Sequence, residues 1–221
     1  MRRVSALVLL GLAALSLAAC TNSETQWNSK ITIEVETPNG LVSGSSVTRE
    51  TASFTTGALV PGEARGGGVS REGEAVVVDL GEGKYLFAAL PNPDSTQIFF
   101  PGQGPEDAAP KMAGLTGKSR QLNPKSYPKS SFPMLFTFSD IKNPKTAKEV
   151  PPTDLSAVFG PGYLLKAVTL EVTDEPVTKG ELERIADWIP NLVGSIGKDM
   201  DLAPEHILIT IHDGFFYRKL R

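Results

Sequence analysis

The stretch Ile31-Thr32-Ile33-Glu34-Val35-Glu36-Thr37 alternates apolar and polar residues without a break. Side chains along a strand point to opposite faces in turn, so this pattern makes a strand with one buried and one wetted face. Pro38-Asn39-Gly40 follows as a turn, because Asn-Gly takes positive φ at little cost. The run Leu41–Phe54 then returns antiparallel. A second hairpin is written into EAVVVDL (74–80) and KYLFAAL (84–90), joined by Gly81-Glu82-Gly83. Two β-rich runs around a short Gly loop fit a hairpin with a bulge.

Three further strands are expected. Met134–Phe138 (MLFTF) is short and apolar. Leu164–Thr173 puts Ala167, Thr169, Glu171 and Thr173 on one face and Val168, Leu170 and Val172 on the other. Ile207, Ile209 and Ile211 alternate with Leu208, Thr210 and His212. One helix is expected. Thr178-Lys179-Gly180-Glu181 has the spacing of a capping box. Leu182, Ile185, Ala186, Ile189, Leu192, Val193 and Ile196 follow at helical spacing, with Pro190 set to kink or split the helix. The fold class is therefore α+β, mainly antiparallel β, as an open sheet or sandwich with one C-terminal amphipathic helix.

Two regions are expected to lack regular strands. Residues 57–73 (GALVPGEARGGGVSREG) have the composition of a loop. Residues 91–133 carry eight prolines, and proline has no donor for a strand ladder. This segment reads as a long excursion with one helical turn near Glu106–Leu115.

The first twenty residues stand apart from the folded chain. Arg2 and Arg3 open a positive n-region, Val4–Leu17 is apolar and uncharged, and Ala18, Ala19 and Cys20 close it. The run is shorter than the roughly 20 apolar residues of a membrane-spanning helix, and its three parts make a secretory signal. The wider motif of twin-arginine export is absent, so Arg2 and Arg3 serve as n-region charge. Leu17-Ala18-Ala19-Cys20 matches the bacterial lipobox, which implies cleavage before Cys20 and acyl chains on the new N-terminus. An ordinary signal with a chance cysteine is the plainer alternative. Two or more chains give a stable anchor, where one holds weakly. The expected organisation is a cleaved signal over 1–19, lipidated Cys20 with a short tether over 20–30, and a single domain over 31–221. Thr21 stands where an Asp would retain a lipoprotein in the inner membrane. In a Gram-negative cell that favours the inner leaflet of the outer membrane, with the domain facing the periplasm.

Cys20 is the only cysteine, so the exported domain has no thiol nucleophile, disulfide or cysteine zinc site. Charge is uneven. Residues 111–148 carry a balance of +7, against −7 over 21–110 and −5 over 149–221. Lys118, Arg120, Lys125 and Lys129 are the candidate contacts for an anionic envelope component or partner. A solvated, lysine-dotted loop is the plainer reading of the same residues. A net acidic, exported chain is a poor nucleic-acid binder.

Residues that could carry catalysis are few. Gly44-Ser45-Ser46 invites a hydrolase reading with His206 or His212 as base and Asp79 or Asp213 as orienter. A nucleophile elbow needs a final Gly on a strand–turn–helix bend, and Val47 stands there within an expected hairpin. His206 and His212 on one extended strand are roughly 20 Å apart, too far for one metal ion. Gly66-Gly67-Gly68 lacks the Lys-Ser/Thr of a phosphate loop. Glu34 and Glu36 read as a solvated sheet face, and Arg184 as a surface partner for the Trp188 ring. No cofactor is indicated.

Four stretches together, VETPNGLVSGSSV (35–47), GEAVVVDLGEGKYLFAAL (73–90), FGPGYLL (159–165) and EVTDEPVT (171–178), resemble a family of proteobacterial predicted lipoproteins, mainly alphaproteobacterial. The resemblance implies one envelope-anchored domain. The family carries no assigned activity, cofactor or catalytic residue, so no site follows from it. The functional expectation is a lipid-anchored, non-enzymatic binding or adaptor domain. The alternatives are an envelope hydrolase using Ser45 or Ser46 with His206 or His212, and a purely structural lipoprotein.

Overall fold

In the computed structural model the described residues are 21–56, 66–90, 94–124, 132–201 and 206–218. Cys20, Lys125 and Lys129 lie outside them. The strands are β1 (Thr21–Thr37), β2 (Gly40–Thr56), β3 (Gly66–Glu74), β4 (Val76–Gly81) and β5 (Lys84–Ala88), then β6 (Ser119–Gln121), β7 (Leu135–Phe138), β8 (Ala147–Glu149), β9 (Leu164–Thr173) and β10 (Tyr217–Arg218). The helices are α1 (Ser95–Phe99), α2 (Pro105–Met112), α3 (Ser156–Phe159), α4 (Glu181–Ile185), α5 (Ile207–Thr210) and α6 (Asp213–Phe216). Among the described residues no helix is long and apolar enough to cross a membrane.

The strands form two antiparallel sheets, ordered β10-β3-β2-β1-β9-β6 and β4-β5-β7-β8. The chain passes from the first sheet to the second through one residue, Ala75. The second sheet is the middle layer. Val76, Val78, Leu80, Leu86 and Leu135 pack against Trp27, Ile31, Ile33, Val35, Val168 and Leu170 of the first sheet. On its other face Phe87, Phe136 and Phe138 pack against Leu182, Ala186, Ile189, Ile211 and Phe216. Burial on both faces explains why Val76-Val77-Val78 is a continuous apolar run while β1 alternates. Phe87 and Phe136 are cross-strand partners with ring centroids 5.4 Å apart, and Phe216 meets both edge-on.

Gly44 explains part of the sheet-to-sheet contact. A Cβ built there would lie 2.0 Å from the Val77 carbonyl oxygen. Backbone meets backbone at this point, and only glycine allows it. The hairpin loop of the second sheet is Glu82-Gly83, with φ of 55° and 73°. Two positive φ values are the mark of a type I′ turn, and the register shift between Asp79 and Gly81 is the expected bulge.

Several expectations are corrected. Residues 21–30 are not a tether: they are the first ten residues of β1, paired with β2 from Thr21↔Thr56 onward. Their polar composition hides a strand: Trp27 and Ser29 are buried toward the core, while residues 23–26 are exposed or half-buried. Residues 66–73 are strand β3, with Gly66-Gly67-Gly68 paired to Thr55, Phe54 and Ser53. A Cβ at Gly67 would lie 2.1 Å from the Ser53 oxygen. The proline-rich excursion holds the helical segment expected near Glu106–Leu115, as α2 and a 3₁₀ turn at Ala113–Leu115, and adds α1 and β6 beyond that expectation. Asp94 caps α1 by accepting from the Thr96 and Gln97 amides, and Pro105 starts α2 where an amide donor is not needed.

The C-terminal half departs furthest. The expected long helix is only α4 and a 3₁₀ turn at Ile189–Asn191. Pro190 supplies no donor and its ring would clash with the carbonyl of Ala186, where the chain turns extended. Thr178 is not its N-cap. The Thr178 hydroxyl accepts from the Val47 amide, and the Glu74 carboxylate instead accepts from the Gly180, Glu181 and Leu182 amides. The expected strand at Ile207–His212 is α5, with only Leu208 and Ile211 buried. His206 and His212 cap α5 and α6, so local side-chain-to-amide bonds prevail over the two-residue alternation.

Candidate functional site

The candidate contact residues are divided by the fold. β6 pairs with β9 through Gly117 N–H to Val172 O (2.7 Å), Val172 N–H to Lys118 O (3.0 Å) and Leu122 N–H to Val168 O (2.7 Å). Lys118 is exposed at this sheet edge. The Arg120 guanidinium lies 5.4 Å from the Phe99 ring centroid, and the Lys111 ammonium lies 5.5 Å from that of Phe100. Both cations are therefore laid over aromatic faces of α1 and its C-terminal end. Lys142, Lys145 and Lys148 lie on the β7–β8 side of the second sheet. The basic segment thus supplies two separate sheet edges, and Lys125 and Lys129 lie outside the described residues.

Beside Lys118 a polar cleft of about 410 Å³ opens where β9 ends. β9 pairs with β1 only as far as Asn28↔Thr173, whereas β1 runs on to Thr21. The 3₁₀ turn ending at Leu115 stands across the gap. Gln26, Asn28, Arg49, Thr116, Thr173 and Asp174 line the cleft, with Trp27, Val172 and Ala113. The chain leaves β9 as a strap over the outer face of β1 and β2. The Asn28 amide nitrogen donates to Glu175 O (2.8 Å), Lys30 pairs with the Glu175 carboxylate (2.7 Å), and Thr178 bonds both main-chain groups of Val47. The strap explains why Val47, on the outer face, is buried.

A second polar cluster is internal. Glu50 is 1% exposed on the inner face of β2. Its Oε2 receives Arg71 Nη2 at 3.1 Å and the Ser95 hydroxyl at 2.9 Å, and Trp27 Nε1 donates to the same hydroxyl at 3.1 Å. Arg71 also donates to the Leu90 carbonyl. One ion pair thus joins β2, β3 and α1. Next to it lies a cavity of about 10 Å³, lined by Ser29, Ser46, Thr48, Glu50 and Glu74 among others. Ser29 Oγ and Glu50 Oε1 are buried there with no protein partner. The space suits one water molecule, and these two atoms supply the partners it needs.

Of the residues of the hydrolase reading, Ser46, His206, His212 and Asp79 are bonded to main-chain groups, and Asp213 stands 3.6 Å from His212 Nδ1. The Ser46 hydroxyl donates to Glu74 O at 2.7 Å inside the core, and Ser45 is exposed on the opposite face of β2. His206 Nδ1 accepts from the Leu208 amide and His212 Nδ1 from the Gly214 amide. Asp79 accepts from the Gly81 amide in the hairpin turn. Arg184 pairs with Glu181 rather than the Trp188 ring, whose Nε1 donates to Ile141 O at 2.7 Å. Glu36 pairs with Lys166 at 2.9 Å on the outer face. Among the described residues no group of three or more His, Cys, Asp or Glu side chains is placed to hold a metal. Burial, with the Glu74 and Glu183 carboxylates nearby, pushes the Tyr217 phenol well above its ordinary range.

Neither the cleft nor the internal ion pair was legible in the sequence. Their members come from strands, a turn and helices far apart in the chain, and no spacing rule links them. The one available signal was Glu50 at an inward position of β2, where a charged residue calls for a partner. Comparison with protein-family models, with curated proteins and with solved structures finds no match.

Proposed function

We propose that this chain is a lipid-anchored bacterial cell-envelope protein whose domain binds an envelope component rather than catalysing a reaction. The observation that carries the reading is the leader ending in Leu17-Ala18-Ala19-Cys20, followed at Thr21 by β1. Acyl chains on Cys20 would then attach directly to a paired strand, with no spacer. The first residues of β1 pair with the end of β2, which pairs in turn with the start of β3, so the attachment point is a stiff sheet end. From Thr21 to Thr25, where the facing Ala52 is already core, this end is roughly 13 Å long at 3.3 Å per residue. The buried core of the domain would begin about that far from the lipid surface.

The binding role is supported by the commitments of the reactive side chains. Ser46, His206 and His212 each serve a main-chain group, while the polar cleft beside Lys118 offers side chains to solvent. Detergent phase partition tests the anchor. The native protein expressed in its own or a related bacterium enters the detergent phase, and Cys20→Ser moves it to the aqueous phase. Equal partition of the two forms would refute the anchor. Crosslinking in cells tests the binding role: a specific partner lost on Cys20→Ser supports an anchored adaptor, and none above background argues against it.

A further inference from the structure

We propose that the cleft where β9 leaves β1 is a binding site for a polyhydroxylated ligand, an oligosaccharide segment. This goes beyond the anchoring reading and holds whether or not Cys20 is acylated.

The argument begins with volume and lining. About 410 Å³ falls within the roughly 300–1,000 Å³ typical of ligand sites. The lining is unusual for such a site because it is mostly polar. Gln26 and Asn28 bring carboxamides, Arg49 a guanidinium, Thr116 a hydroxyl and Asp174 a carboxylate. An apolar ligand would find little surface to cover. A simple cation or anion would meet both Asp174 and Arg49. A sugar hydroxyl donates and accepts at once, so it can satisfy alternating groups of this kind.

Several of these groups have capacity to spare. The Asn28 amide nitrogen is spent on Glu175 O, which leaves its oxygen as an acceptor. The Gln26 amide nitrogen is spent on Glu24, with the same consequence. The Arg49 guanidinium stands 3.9 Å from Glu72, beyond hydrogen-bond distance, so its donors remain for a ligand. Thr116 and Asp174 meet at 3.4 Å, a long contact that a ligand hydroxyl could replace.

The site is also held in place. Asn28 and Arg49 are direct cross-strand partners, and Asn28 pairs with Thr173 on its other side. Three of the lining positions therefore share one row of a sheet, on the outer face. Asp174 is positioned by the strap, through the Asn28–Glu175 and Lys30–Glu175 contacts. N-terminal to Asn28, β1 has no β9 partner, so its outward main-chain groups border the same cleft.

The test uses the full-length protein in detergent with two probes, N-acetylglucosamine tetrasaccharide and maltotetraose, read by saturation-transfer NMR and calorimetry. At least one is expected to bind saturably with a Kd below about 1 mM. Arg49→Met and Asp174→Asn are each expected to weaken binding at least tenfold with an unchanged unfolding midpoint. Arg49→Met leaves Glu72 paired with Lys179, so the fold keeps that ion pair. Saturation by neither sugar, or equal binding in both variants, overturns the proposal. So does binding of an extended Lys-Thr-Lys-Thr-Lys-Thr-Lys peptide in place of both sugars, which would assign the β1 edge to strand addition.

Discussion

Replacing Gly44 by Ala tests how the two sheets meet. The added Cβ would lie 2.0 Å from Val77 O, 2.8 Å from Val77 C and 3.1 Å from Val78 Cα. Ordinary van der Waals contact begins at 3.4 Å, so β2 and β4 must separate by about 1.4 Å at this point. The obstructing atoms belong to the backbone of a strand packed on both faces, so no side-chain rotation relieves them. Overpacking of a well-filled core costs about 1–3 kcal/mol, and a backbone obstruction belongs at the upper end. We expect Gly44→Ala to lose about 3 kcal/mol in urea denaturation of the chain lacking its first twenty residues. Ser45→Ala, one residue on and exposed on the other face, should change stability by less than about 0.5 kcal/mol. A Gly44→Ala variant as stable as the parent would refute the close approach of the sheets. It would also remove the physical reason for glycine in the Gly44-Ser45-Ser46 motif.

Glu50→Gln should cost about 3–5 kcal/mol by equilibrium denaturation, since it leaves Arg71 buried against a neutral partner. Adding Arg71→Met should recover part of that loss, and a strictly additive double variant would contradict the pairing. The raised Tyr217 group adds a pH term. Its native state resists ionisation, so the contribution is fully present below the ordinary tyrosine value of 10.0 and is lost as pH rises above it. The parent should therefore lose stability above pH 10 faster than Tyr217→Phe, and parallel pH profiles would refute this. Lys118→Glu, Lys125→Glu and Lys129→Glu combined should abolish crosslinks to an anionic envelope partner without moving the thermal midpoint, and unchanged crosslinks would discard the basic-edge contact.

The elements readable from sequence are those with one buried face and a local turn. β9 occupies Leu164–Thr173 with the alternation its residues show, and the β1–β2 and β4–β5 hairpins close at Pro38-Asn39 and Glu82-Gly83, within the expected turn sequences. Elements held by partners distant in sequence were not readable. The first ten residues of β1 are strand because β2 pairs with them, and among their mostly polar side chains only Trp27 and Ser29 are buried. The α4 start depends on Glu74, more than 100 residues upstream, which no capping pattern within the helix can reveal. At Ile207–Ile211 the alternation was real, but two histidine caps set the local backbone. The cleft was hidden for the same reason, since it forms only where β9 stops and β1 continues.

The most direct test of the account is the mass of the N-terminal tryptic peptide from the membrane-extracted protein. The account predicts a peptide spanning residues 20–30, with two or three acyl chains on Cys20 and none of residues 1–19. A tryptic peptide running from Val4 to Lys30, or an unmodified Cys20, would contradict the anchored reading.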